Sequence, residues 1–233
     1  MTNNMHSDRA SLLWCAHSAI PFVILLASGA FFIPGWLPPH NPEWSAAQIA
    51  AIFRDNQTNI RIGMTMVAIS APLAWSFATA ISSQLKRIEG PNHPLSTVQM
   101  ATATGTVVPI IIPAYLWLAL AYRPELTSPE TIQLVNDFCW MVFVAMFPPA
   151  TLQAVVIGVG ILSDKRAEPL FPRWFGFATL WTAVLFLPGA LVPFFKHGPF
   201  TWMGLISFWV VATVFFAWYI ALWWLTVRAI KRP

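Results

Sequence analysis

Apolar residues in this chain fall into six long blocks, and Asp, Glu, Lys and Arg lie between the blocks rather than within them. The blocks cover about residues 12–33, 62–85, 97–122, 138–163, 174–194 and 201–227. Each can cross the hydrocarbon core of a bilayer as a helix, which takes about 20 apolar residues. A soluble protein has no reason to keep charge out of whole helices, whereas lipid cannot solvate it. The pattern predicts an all-α fold: a polytopic transmembrane helical bundle of six spans forming one integral membrane domain over residues 1–233.

The connections carry their own signals. Asn41-Pro42-Glu43 and Ser128-Pro129-Glu130 each place an N-cap residue, a proline and an acid in register for a helix start. The first predicts a short helix over 44–53 lying at the membrane interface, and the second starts span four outside the membrane. Gly198-Pro199 marks a tight turn before span six. Prolines recur in the spans, but the two halves share no motif and span six has none, so an inverted repeat is not supported.

Composition agrees: 57% of residues are hydrophobic and 9% charged, against roughly 25% charged in soluble domains, so nearly all the mass is expected in or beside the lipid. The net charge of +4 forms no stripe suited to nucleic acid; its cations sit at span ends, where they set orientation. Arg9, Lys86, Arg87, Lys165, Arg166, Arg173, Arg228, Lys231 and Arg232 fall on one side, and Arg54, Arg61, Arg123 and Lys196 on the other. That asymmetry predicts that both termini are cytoplasmic. The first apolar block mimics a signal peptide but outruns the usual h-region of about 7–15 residues, so it is expected to be a retained span. Trp36, Trp117, Trp140 and Trp202 are expected as an outer interfacial belt, and Trp174, Trp223 and Trp224 as an inner one. Trp75, Trp181, Trp209 and Trp218 lie deeper, between helices.

Chemistry inside the spans is sparse. Pro72, Pro109, Pro148 and Pro149 free the carbonyls of Ala68, Gly105, Val144 and Ala145, which need partners in lipid. Thr102, Thr106, Pro109 and Pro113 share one face of span three, and Gln153 lies one turn beyond the proline pair on span four. These positions predict a polar-lined pocket between spans three and four, with Thr106 and Gln153 as ligand-binding side chains and a deep tryptophan, Trp181 or Trp209, as a wall. The alternative is that the hydroxyls satisfy the kinks and the small residues Ala150, Ala154 and Gly158 let helices pack. Asp137, at the outer mouth of span four, is a further candidate for attracting a cation or acting as a base. His17 beside Cys15 lacks further ligands at its depth, and His40 and His197 match no metal spacing. No metal or other cofactor is expected. Cys15 and Cys139 lie in opposite leaflets and are expected to stay unbridged.

The stretch 171–200, FPRWFGFATLWTAVLFLPGALVPFFKHGPF, followed by TWMGLISFW, resembles a family of small bacterial membrane proteins with no activity assigned. The likeness extends back through Leu134-Val135-Asn136-Asp137 to about Lys86. It implies a multi-pass protein of the bacterial inner (plasma) membrane and supplies no site residues. Phe-Pro-Arg-Trp at the start of span five and Phe-Lys-His-Gly-Pro-Phe after it are motif-like. Physically, the first is an anchor and the second a turn with one cation.

Three function classes are left open: a transporter or binding protein for a small apolar or weakly polar organic molecule, a non-catalytic subunit or assembly partner of a larger membrane complex, and a membrane enzyme using Asp137, or His17 with Cys15. The expected partners are membrane lipid and other membrane subunits, with no nucleic acid.

Overall fold

The computed structural model describes the backbone of residues 2–232 and the side chains of residues 8–232. Its regular structure is entirely helical among these residues. Span one joins α1 (Thr2–His17) and α2 (Ala19–Ala27) to a π-helical turn, Ser28–Phe32. Helix α3 (Ala46–Asp55) lies between spans one and two, and α4 (Gln57–Glu89) and α5 (Pro94–Tyr122) form spans two and three. Span four is broken into α6 (Pro129–Ala145) and α7 (Pro148–Leu162). Span five runs through α8 (Arg173–Phe186) into a 3-10 segment, Leu187–Phe194. Span six starts with a π-helical segment, Leu205–Val210, and continues as α9 (Val211–Lys231). All six are long and apolar enough to cross a membrane.

The six spans follow one another round the bundle in chain order, and span six closes the ring against span one. The start of span one and the end of span six lie at one end, where Arg9 donates to the Lys231 carbonyl at 2.7 Å. Close crossings are made by small residues, which is how helices gain van der Waals contact without a hydrophobic drive. Gly158, in the predicted small-residue row, faces Leu180 and the Gly176 carbonyl of span five.

Local chemistry explains the ends. Ser128 caps α6 by accepting from Thr131 N–H, with Pro129 in the first turn, as expected. The first predicted start is displaced: Asn41 Oδ1 accepts from Glu43 N–H at 3.0 Å, closing an Asx turn. The helix begins instead at Ser45, in a capping box with Gln48, because the turn has already used the Asn side chain. Glu89, at the end of α4, accepts from Leu95 and Ser96 N–H at 2.8 Å each and so caps α5. Its two oxygens fix the span two–three hairpin.

The prolines act unequally. α5 passes through Pro109 and Pro113 without interruption, and α4 through Pro72. The adjacent Pro148 and Pro149 remove two successive N–H groups, and there the helix stops and restarts with Pro148 in its first turn.

The outer tryptophans form no lipid-facing belt. Trp36, Trp117, Trp140 and Trp202 are all buried; Trp36 stacks edge-on against Trp117, centroids 4.9 Å apart, and Trp117 against Trp140 at 5.1 Å. They surround His40 and Asn136 and make an aromatic plug at the end opposite the termini. At the terminal end, Trp174 and Trp224 do face outward, 59% and 49% exposed.

Candidate functional site

Spans one, four, five and six each depart from α-helical geometry near one level, and a half-open chamber of about 140 Å³ lies there. Irregular backbone at membrane depth is tolerated where it lines a cavity or is buried in protein, and broken helices mark binding sites in many transporters. The chamber is lined by Phe31 from the π turn of span one, by Phe143, Val144 and Phe147 at the break of span four, by Phe186 at the end of α8, and by Ser207 and Phe208 in the π segment of span six. The break also brings Val144 O against span five, 3.1 Å from where a Gly189 Cβ would stand. Ser207 Oγ donates to Pro188 O at 2.9 Å, so that hydroxyl is already used. What remains facing the chamber is mainly phenylalanine.

A second, smaller chamber of about 30 Å³ continues toward the terminal end. Thr106, Ile110, Ala150 and Phe215 line both. Thr106 Oγ1 approaches Thr102 O at 2.9 Å and Gln153 Oε1 at 3.1 Å, so one hydroxyl proton is shared between two acceptors. Gln153 Nε2 donates to no protein group among the described residues. Opposite stands Tyr219, whose ring is gripped by Phe22 and Phe77, each with its centroid 5.0 Å away, and by Phe215 at 5.5 Å. Its hydroxyl is buried without a hydrogen-bond partner, an arrangement that costs about 1–3 kcal/mol.

Of the residues expected at this site, Thr106 and Gln153 are brought together and line the smaller chamber. Trp181 stands on the outward face of α8, 65% exposed, and lines neither chamber. Trp209 is likewise exposed. The wall is supplied by Phe215 and Trp218 instead, with Trp218 Nε1 held by Thr179 Oγ1 at 3.2 Å. Asp137 is half-buried midway along α6, within electrostatic reach of Lys196. It lies seven residues from Val144, about 10 Å along the helix. Tyr219 was not singled out from the sequence, although it is one of three tyrosines and the only one buried.

The remaining titratable candidates stand apart. His17 is exposed and accepts from Trp223 Nε1 at 3.4 Å. His197 pairs with Glu43 at 2.9 Å. His40, 3% exposed, has Nδ1 3.1 Å from Asn136 Oδ1, which also accepts from Trp117 Nε1 at 3.2 Å. An amide oxygen can only accept, so Nδ1 carries the proton and Nε2 is a bare, unpartnered lone pair. Burial lowers the His40 pKa to about 4, against the raising effect of the Asn136 bond. Cys139 is buried, its Sγ 3.8 Å from Pro113 O, and Cys15 is half-buried; neither is bridged. No group of three or more His, Cys, Asp or Glu able to hold a metal occurs among the described residues.

Neither chamber is lined by a carboxylate, histidine, cysteine or lysine. The polar side chains that line them are Thr106, Gln153, Ser207, Trp218 and Tyr219, all uncharged hydrogen-bonding groups. The fold and site together define a six-span helical membrane bundle with an apolar chamber and a small uncharged polar end. No protein-family model, curated protein or solved structure matches the chain.

Proposed function

We propose that the protein binds a small, weakly polar organic molecule on the bundle axis and passes it through the membrane. The observation that carries this reading is the pairing of the two chambers through Thr106, Ile110, Ala150 and Phe215. The larger, at about 140 Å³, matches cavities of about 150 Å³ that take one benzene ring. The smaller offers the orphan Tyr219 hydroxyl and the Gln153 amide to one polar head group. A monocyclic phenol is the simplest molecule with that shape and polarity.

Titration of such a phenol into the detergent-solubilised protein, followed by tryptophan fluorescence, tests the reading through Trp218. Thr106→Val keeps the shape and removes the hydroxyl, and should weaken binding by about 1 kcal/mol. Tyr219→Phe should weaken binding by a similar amount while leaving thermal stability unchanged or raised, since it deletes a buried group with no partner. If both variants bind the phenol as the parent does, the head-group assignment is wrong. If Thr106→Val only lowers stability and no phenol binds to the parent, the two side chains serve packing alone.

The charge asymmetry supports an orientation with both termini in the cytoplasm, and the resemblance of residues 171–200 supports a bacterial inner membrane. Single cysteines placed beside Lys86, Lys165 and Arg232 should then be protected from an impermeant thiol reagent added to whole cells. Cysteines beside Asp55, Glu125 and His197 should be labelled. Labelling of the Lys165 loop from outside would reverse the orientation.

A further inference from the structure

The terminal end holds a cavity of about 500 Å³ between the loop at residues 167–172, the first residue of α8 and the last turn of α9. Its lining includes Arg173, Arg228 and Arg232, against one carboxylate, Glu168. Arg9, Arg87 and Arg166 nearby are occupied otherwise. Arg166 is paired with Asp164 at 3.1 Å. Arg9 and Arg87 donate to the Lys231 and Ala229 carbonyls at 2.7 and 3.0 Å and so satisfy the end of α9, where cations are favoured. The three cavity arginines form no ion pair among the described residues. Arg228 lies over the Trp224 ring at 4.8 Å, Arg173 donates to Leu162 O at 3.3 Å, and Arg232 donates to Pro169 O at 2.6 Å. Each uses one interaction of a guanidinium that carries five N–H donors.

The wall of this cavity is built rather than loose. Asp164 is buried, accepts from Leu170 N–H at 2.9 Å through one oxygen and holds Arg166 through the other. Arg166 in turn donates to Arg87 O at 2.9 Å. Phe171 and Leu225, each 2% exposed, back the cavity from the core. The exposed Trp174 and Trp224 flank it at the span ends, and indole rings there suit lipid head groups.

We propose that this cavity binds the phosphodiester of an anionic phospholipid, with the three arginines on the phosphate and the acyl chains against the exposed Trp174 and Trp224. Basic pockets between spans are suited to such head groups, and a guanidinium fork matches phosphate oxygens. The Phe-Pro-Arg-Trp motif at the start of span five then has a purpose: Arg173 for the phosphate and Trp174 for the interface.

The test is a titration of the full-length protein in neutral detergent with short-chain phosphatidylglycerol, with phosphatidylcholine and inorganic phosphate as separate arms, read by native mass spectrometry. Phosphatidylglycerol should bind saturably at one site, at least tenfold more tightly than phosphatidylcholine, and inorganic phosphate should not compete at millimolar concentration. Arg173→Gln and Arg228→Gln should each weaken it about fivefold, whereas Lys86→Gln and Lys165→Gln should not. Glu168→Gln, which removes the opposing charge, should tighten it and so gives a readout that survives if an arginine variant folds poorly. Equal binding of the two lipids, equal loss from the lysine variants, or displacement by inorganic phosphate would each overturn the lipid assignment.

Discussion

Gly63→Ala should cost the bundle about 3 kcal/mol, the upper end of the range for overpacking, and Gly29→Ala a similar amount. The two glycines cross back to back where α4 passes the π turn of span one. A Cβ on Gly29 would stand 2.5 Å from the Gly63 carbonyl oxygen, and one on Gly63 would meet the Gly29 carbonyl and Pro34. Backbone atoms have no rotamer to escape into, so the spans themselves must separate and surrender the contacts around Val67. Gly160→Ala is the control, because its Cβ would meet chiefly the end of the Leu85 side chain, at 2.7 Å. That side chain can turn away, so the loss should be about 1 kcal/mol or less. Thermal unfolding in one detergent compares the three variants. A Gly63→Ala protein as stable as the parent would mean that spans one and two do not cross there.

Acidification below about pH 6.5 should loosen the aromatic plug, by about 3 kcal/mol in total. His40 is neutral in the fold, with its pKa lowered from 6.5 to about 4 by burial. Above pH 6.5 neither the closed nor the opened state binds a proton there, and His40 adds no pH dependence. Between 6.5 and about 4 only the opened state is protonated, so stability falls by about 1.4 kcal/mol per pH unit. Below about 4 both states are protonated and the loss stops growing. Carboxylates titrate mostly below pH 5, which leaves 6.5 to 5 as the diagnostic window. Fluorescence of Trp36, Trp117 and Trp140, whose rings pack around or beside His40, should report the opening. His40→Gln, which keeps a polar side chain but cannot titrate, should flatten the profile in that window. An unchanged profile in the variant would assign the effect elsewhere.

The six spans were legible because lipid excludes charge without regard to packing: Lys86-Arg87, Lys165-Arg166 and Arg228 mark ends in any arrangement. Facing was much less legible. In a soluble helix the buried stripe is apolar and the rest polar, but in lipid both sides are apolar and nothing separates Trp218, which is buried, from Trp181, which is not. The outer tryptophans misled for the same reason. An indole near the membrane boundary suits an interfacial belt and a buried plug equally well, and only the partners His40 and Asn136, distant in sequence, decide between them.

The candidate site divides along similar lines. Thr106 and Gln153 could be found because polar groups on proline-kinked spans are scarce and their depths match. Tyr219 and Phe215 could not, since span six carries aromatic residues on every side and no proline marks a level. The π turns at Ser28–Phe32 and Leu205–Val210 have no sequence signature either; they follow from how the spans fit their neighbours.

One consequence of the larger chamber concerns stability as much as recognition. At roughly 24 cal/mol per Å³ for an enclosed cavity, 140 Å³ sets an upper bound of about 3 kcal/mol on the contact that the surrounding side chains do not make with one another. A molecule that enters supplies that contact, and by mass action it stabilises the fold by about 2.7 kcal/mol at a hundredfold excess over its Kd. Under the proposed function, a substitution that fills the space, such as a larger residue at Ala150, should raise stability while excluding the bound molecule.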